Sequence, residues 1–322
     1  MGQGVVLRIR VPALPVGGSS VIREWRPGYV VDARLTLGAL AMGSRDPCQR
    51  VEADGSLWRG SLMPSGPVTY RLEQRGPEAV DVSAWGQGAE EALEALPDLL
   101  GAGDRPETFE PGHPFLEEAA RRLAGLRVPR TGRVLECLVP AILRQKIQGR
   151  DAAASWRQLV TAYGSTAPGP CPGMRVPPTP EAWLAVPPWA WRRAGVEPSA
   201  VAAIRLAASR AAALERAVGI SRAEAYRALT TLHGIGPWTA AEVGHRALGD
   251  ADAVSLGDYH LAALTGWALA GAPLGDWEVE GFYERWRPHR YRVMRLLELT
   301  PWAWPPRRGP RMERPEHRYG PF

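Results

Sequence analysis

The residues best suited to chemistry crowd into one stretch, 229–260. His233-Gly-Ile-Gly-Pro237 lies there between two helical segments. Paired glycines permit positive φ and close approach of a foreign backbone, and a proline starts a helix at its first position. The pattern predicts a helix, a tight hairpin and a second helix. Exposed amides of the hairpin and of the second helix's first turn can hold a phosphate oxygen without any basic side chain. Such a grip reads backbone and not base sequence. Further on comes Leu256-Gly-Asp-Tyr-His260, where an aspartate following glycine at a helix start reads, taken alone, as an N-cap.

Composition sets the bounds. The chain has 322 residues, 45% of them hydrophobic, enough for two ordinary domains. A net charge of +5 and a pI near 9.4 favour a polyanionic partner without specifying one. Lys146 is the only lysine among 39 basic residues; the arginine bias fits genome composition and phosphate recognition equally. Cys48, Cys137 and Cys171 are too far apart for a zinc knuckle, an iron–sulfur set or a disulfide framework. Free thiols in a reducing compartment follow. With no signal-peptide run and no window approaching ~18 apolar residues, the expectation is a soluble, cytoplasmic protein with no membrane partner; it is expected to be a monomer.

The elements that must position the hairpin fall into two textures. Alternating runs at 29–37, 57–63, 68–74 and 79–84, separated by turn residues, read as antiparallel strands. Leu93, Leu96, Leu99 and Leu100 then recur at helical spacing, which predicts a helix over 89–100 packed on the sheet. This is an α+β N-terminal domain, residues 1–103, closed by a breaker-rich linker at 101–107. From 104 to 304 the texture is Ala/Leu/Arg-rich with a period near 3.6, and the domain is all-α. Its helices are predicted at 114–125, 131–148, 151–163, 180–194, 198–217, 221–232, 238–248, 258–271, 276–286 and 288–299. Pro140 should kink the second of these or delay its start. The proline- and glycine-rich run 164–180 reads as a surface loop, and the basic tail 305–322 as disordered.

With those elements in view, Leu232-x-Gly-Ile-Gly-Pro-Trp-Thr-Ala, followed by Asp258 twenty residues after Trp238, resembles the helix-hairpin-helix DNA glycosylase superfamily. Within it the sequence is similar to the branch of the bacterial inducible 3-methyladenine DNA glycosylase. His113-Pro-Phe-Leu, Ala141-Ile-Leu-Arg-Gln145 and Arg285-Trp-Arg-Pro-His-Arg-Tyr291 match further stretches of that branch, so that the likeness covers about 112–300. It implies a strand-rich N-terminal domain followed by an all-α glycosylase domain, acting in base-excision repair on double-stranded DNA that contains a damaged base.

The resemblance implies roles residue by residue. A glycosylase must extrude its base from the stack, at a cost of a few kcal/mol, and something must fill the gap. The filling position corresponds to Lys146, which either wedges with its methylene stem or binds phosphate while Gln145 or Ile147 wedges. Gly234, Ile235, Gly236 and Thr239 would bind the DNA backbone with Gln145 and Lys146. Breaking an N-glycosidic bond leaves positive charge on the sugar, and Asp258 would stabilise it and orient water. Trp238 and Tyr259 would stack on an electron-deficient base.

Glu242 and His289 stand where that branch often has aromatic residues. They would make the base pocket more polar, with His289 as a possible proton donor; the other reading of Glu242 is an exposed i,i+4 pair with Arg246. Carbonyls of Thr230, Leu232 and Ile235 would hold a monovalent cation such as sodium or potassium. No other cofactor is implied, and an iron–sulfur cluster lacks its cysteines. His233, His245 and His260 read as surface or capping residues. Bifunctional members carry a lysine early in the second hairpin helix; Pro237-Trp-Thr-Ala has none, which implies a monofunctional, hydrolytic enzyme. The rival readings are a helix-hairpin-helix DNA-binding protein with a degenerate pocket, and a glycosylase for oxidised, deaminated or bulky bases.

Overall fold

The structure, a computed structural model, describes residues 8–10 and 20–305. Its first part is an antiparallel sheet of strands β1 (Arg8–Arg10), β2 (Ser20–Trp25), β3 (Gln49–Val51), β4 (Leu57–Met63), β5 (Gly66–Gly76) and β6 (Ala79–Trp85), in the order β1-β2-β6-β5-β4-β3. Inward-facing Val80, Val82 and Ala84 alternate with partly exposed neighbours along β6, as a half-buried strand requires. Helices α2 (Ala89–Glu94) and α3 (Leu96–Leu99) cover that face, burying Leu93, Leu96 and Leu99 against Leu57 and Leu72. The predicted helix 89–100 is thus present, broken at Ala95.

One expected strand is a helix. The run 29–37 alternates, yet α1 (Ala33–Leu37) forms because the Asp32 carboxylate accepts from the amides of Arg34 and Leu35 and caps it. Nor are residues 101–107 a free linker: Arg127 donates to the carbonyls of Gly101 and Asp104, and the buried Asp104 carboxylate accepts from Val128 N at 2.9 Å and pairs with Arg292.

The helical part runs α4 (Pro114–Arg122), α5 (Val134–Leu143), α6 (Gly149–Tyr163), α7 (Pro180–Ala185), α8 (Pro188–Arg193), α9 (Pro198–Ser209), α10 (Ala211–Glu215), α11 (Arg222–Thr230), α12 (Pro237–Ala247), α13 (Leu261–Thr265), α14 (Asp276–Tyr283) and α15 (Arg290–Leu299). Helix α5 is its axle. Every α5 residue except Glu136 is buried, Pro140 included, as a helix apolar on all sides demands. The Glu215 carboxylate satisfies its first amides, Val134 N and Leu135 N, at 2.9 Å each. Helix α5 lies within one core, with Trp156, Trp183, Ile204, Leu229 and Val243 around Leu138, while Leu116, Leu261, Tyr283, Trp286 and Leu297 belong to a second.

The run 164–180 is not a plain loop. Short strands β7 (Ser165–Thr166) and β8 (Arg175–Val176) pair there, against the expectation of no strand after the linker, and Cys171, Met174 and Val176 pack on Trp58 of the sheet. All three cysteines are free and buried. No described helix is long and apolar enough to cross a membrane. The tail 306–322, expected to be disordered, lies outside the described residues.

Sheet and helices are locked by a buried ion pair. Glu136 of α5 takes Arg59 on one oxygen and Ser61 Oγ at 2.7 Å on the other, with both charged side chains less than a tenth exposed. Removing one partner strands a buried charge. Glu136→Ala should therefore lower unfolding free energy by about 3–5 kcal/mol, read as a shift of the urea midpoint at unchanged slope.

Candidate active site

The hairpin forms as its sequence demands, with one difference. Ser221 and Glu224 make a reciprocal capping box that starts α11, and Pro237 begins α12. Between the helices only Gly234 has positive φ, at 87°; Gly236 is extended, at φ −93°, ψ −178°, and serves as the N-cap of α12. Of the two glycines that permit positive φ, one adopts it. A Cβ on Gly234 would stand 3.1 Å from Ala203 Cβ, so the turn also needs a small residue for space. Gly234 and Gly236 are exposed while Ile235 is buried and anchors the turn, its amide donating to Leu232 O at 3.0 Å.

Gln145 ties the end of α5 to this turn. Its side-chain amide donates to Gly234 O at 2.9 Å and to Thr239 Oγ1 at 2.8 Å. Both amide hydrogens are thus used within the protein, and Gln145 acts on the hairpin's shape. Thr239 is buried, so its side chain serves the same joint. Next in sequence, Lys146 is exposed and adopts φ 57°, the one described non-glycine residue with positive φ. A lysine held there carries about 1–2 kcal/mol of backbone strain, and such strain collects where a side chain has to be presented in a fixed direction.

Asp258 sits in the segment between α12 and α13, half-buried. Its Oδ1 accepts from His260 N at 2.9 Å, and its own amide donates to Ser255 O at 3.1 Å. The carboxylate forms a turn ahead of α13 and does not cap the helix itself; His260 holds that position. Among the described residues Oδ2 has no bonded partner. The segment is fastened along its length: Tyr226 Oη donates to Asp250 at 2.6 Å, Arg287 and Arg290 grip Asp252, and Ser255 Oγ donates to Glu242 Oε1 at 2.6 Å.

The aromatic neighbours divide. Trp238, in the first turn of α12, is half-buried. Tyr259 is 88% exposed, edge-on to His260, whose ring meets Trp304 at 5.2 Å. Sequence reasoning did not single out Trp304; a tryptophan in a proline-rich stretch gives no periodic signal.

Glu242 and His289 are not where a polar pocket would put them. Glu242 is 4% exposed, bound by Ser255 and Arg246 with Arg144 Nη1 at 3.6 Å, so the pair with Arg246 exists but is buried and not on an exposed face. Burial pushes its carboxyl up, but Arg246 above all, with His245 and Arg144, outweighs that and holds it at about 2. His289 is also buried. Its Nδ1 accepts from Arg292 Nε at 3.3 Å, so Nε2 carries the proton and donates to Thr108 Oγ1 at 2.8 Å, whose hydroxyl passes to Arg105 O. Burial, then Arg292, lowers its pKa. Both ring nitrogens are thus engaged, and the Nε2 proton is committed to Thr108.

His245, read from sequence as a surface or capping residue, is 1% exposed and stacked on Tyr291 at 3.8 Å. Burial and Arg246 lower its pKa to about 3, and its Nδ1 donates to Ala253 O at 3.2 Å. His233 and His260 are exposed as expected. At the turn Leu232 O accepts Ile235 N–H at 3.0 Å and keeps a second lone pair. No group of three His, Cys, Asp or Glu side chains suited to a metal occurs among the described residues. A cleft of about 240 Å³ lined by Asp98, Asp104, Arg130 and Arg222 includes none of the residues singled out for chemistry.

No protein-family model matches the chain. Two curated Mycobacterium tuberculosis proteins, from strains CDC 1551 and H37Rv, each described as a probable bifunctional transcriptional activator/DNA repair enzyme AlkA, are 29% identical over 228 residues, covering 66% of this chain and 41% of theirs. The chain spans less than half the length of the curated relatives it matches. A 3-methyladenine DNA glycosylase from Archaeoglobus fulgidus has a TM-score of 0.72 at 20% identity, covering 85% of this chain and 96% of that one. A Clostridium acetobutylicum 8-oxoguanine glycosylase/lyase, in complex with double-stranded DNA, has a TM-score of 0.68 at 12% identity, covering 90% and 96%. These structural likenesses are of fold.

The Gly234 turn yields a direct test. Gly234→Ala should cost about 1–2 kcal/mol of stability through the left-handed backbone, measured by urea denaturation.

Proposed function

We propose, from the premise that this chain is of the helix-hairpin-helix DNA glycosylase superfamily in its AlkA-like branch, that it is a monofunctional base-excision-repair glycosylase. It would remove a damaged base, an alkylated purine, from double-stranded DNA by hydrolysis and leave an abasic site. The observation that carries the reading is Asp258: half-buried, oriented through Oδ1 by His260 N at 2.9 Å, with Oδ2 unbonded among the described residues, in a segment bound to the helix that starts at the hairpin.

In this reading the amides of the hairpin and of the first turn of α12 grip a phosphate. Carbonyls of Thr230, Leu232 and Ile235 would hold a monovalent cation, which supplies positive charge toward that same phosphate. Lys146, presented at φ 57°, enters the stack or pairs with the backbone as the base leaves it. Trp238 and Tyr259 offer π-faces to an electron-poor ring; Tyr259, 88% exposed, is free to meet one. Asp258 Oδ2 then stabilises the cationic sugar and orients water, which adds to the anomeric carbon as the bond to the base breaks. Because Glu242 and His289 are buried and fully engaged, the base is bound by aromatic faces and backbone, without a side-chain acid. A lyase step would need an amine at the start of α12, and Pro237-Trp-Thr-Ala supplies none.

Asp258→Asn should reduce base release from methylated duplex DNA under single-turnover conditions by about 100-fold or more, while affinity for a duplex with an abasic-site analogue is retained. A wild-type protein that frees no base from a panel of alkylated, oxidised and deaminated duplexes would leave the DNA-binding reading in its place. Borohydride should trap no covalent adduct with abasic DNA. Lys146→Ala should slow base release and, if the ammonium meets a phosphate, reduce the logarithmic salt dependence of binding by about one.

A further inference from the structure

The bonds around Glu242 carry an inference that rests on the glycosylase reading and adds a residue to it. Each carboxylate oxygen is engaged from a different side: Oε1 by Ser255 Oγ at 2.6 Å, Oε2 by Arg246 Nη1 at 2.8 Å, with Arg144 Nη1 at 3.6 Å. Ser255 is wholly buried, and its carbonyl receives the Asp258 amide at 3.1 Å. A single residue therefore separates Glu242 from the backbone of Asp258. Arg144 is the residue immediately before Gln145 and Lys146, and its Nη2 reaches Ala41 O at 3.2 Å. Arg246 Nε reaches Ala39 O at 2.8 Å. The segment that presents Lys146, the hairpin helix and the segment that carries Asp258 all meet on one carboxylate, braced against residues 39–41.

A residue that touched the extruded base would keep an acceptor facing the pocket. Glu242 is 4% exposed, and both its oxygens point at protein donors. We propose that Glu242 is a positioning residue that fixes the Asp258 segment relative to the Lys146 segment, so that entry into the duplex and approach to the sugar occur in one geometry. Charge is needed for this. A carboxylate accepts from serine and arginine together, whereas glutamine turns an amide donor toward one of them.

Hydrogen exchange of the full chain, without DNA, tests the coupling. Glu242→Gln should speed amide exchange about tenfold or more in both 144–149 and 250–260, while β4–β6 stay within about twofold of wild type. Ser255→Ala, a milder change, should speed 250–260 alone. Acceleration of only one segment in Glu242→Gln, of neither, or of the sheet to the same extent would overturn the proposal; the last would mark plain destabilisation. If Glu242→Gln does not fold, Arg144→Met takes its place and should speed 144–149 alone, and unchanged exchange there would overturn the link. In single-turnover base release from methylated duplex, Ser255→Ala should slow the rate about tenfold with abasic-analogue affinity nearly unchanged; an equal loss of both would overturn positioning. A wild type that releases no base would sink the glycosylase reading, and the exchange data would still decide the role of Glu242.

Discussion

An acid taken out of water has to be met in place by donors, and this molecule puts that requirement at its junctions. Glu136 joins the sheet to α5, Asp104 joins the crossover between the two parts to Arg292 of α15, and Glu215 closes the N-terminus of α5. Asp46 receives the amides of Met42 and Cys48 and the Trp156 indole. Apolar packing presses these parts together without directional bonds; hydrogen bonds to a charge fix direction as well as distance. The cores supply cohesion, and the acids supply register.

That division explains which features were legible in the sequence. Helices announced themselves by local chemistry: Pro114, Pro180, Pro198 and Pro237 each stand at a first turn, and Ser221 with Glu224 closes a capping box. Strand β6 showed clean alternation. Where alternation and capping disagreed, at 29–37, two amide bonds to Asp32 won, because a cap fixes the chain locally while alternation needs a partner strand to act. The 164–180 segment misled for the opposite reason. Its prolines and glycines forbid long elements, yet it is ordered by Trp58, which lies more than a hundred residues away.

The candidate site divides in the same way. The hairpin and Asp258 are contiguous and readable; the grouping of Glu242 with Ser255, Arg144 and Ala39 is not, since nothing in a sequence aligns residues so far apart. Glu242 and His289 drew attention as polar side chains in places that suggested a pocket. In the structure they are satisfied polar groups of the interior, which matches what burial demands of any such group. Gln145 and Glu242 are bonded within the protein, whereas Trp238 and Asp258 are half-buried and Lys146 is exposed.

Lys146 carries one more consequence. As the only lysine in the chain, exposed at a left-handed turn, it is the single side-chain amine open to acylation among a surface otherwise made basic by guanidinium groups, which resist such reagents. Among side chains, an amine-directed dye or crosslinker would therefore mark only the tip of the proposed DNA-facing loop, without any engineered cysteine, with the α-amino group as the other reactive amine, and the three native thiols, all buried, would stay silent.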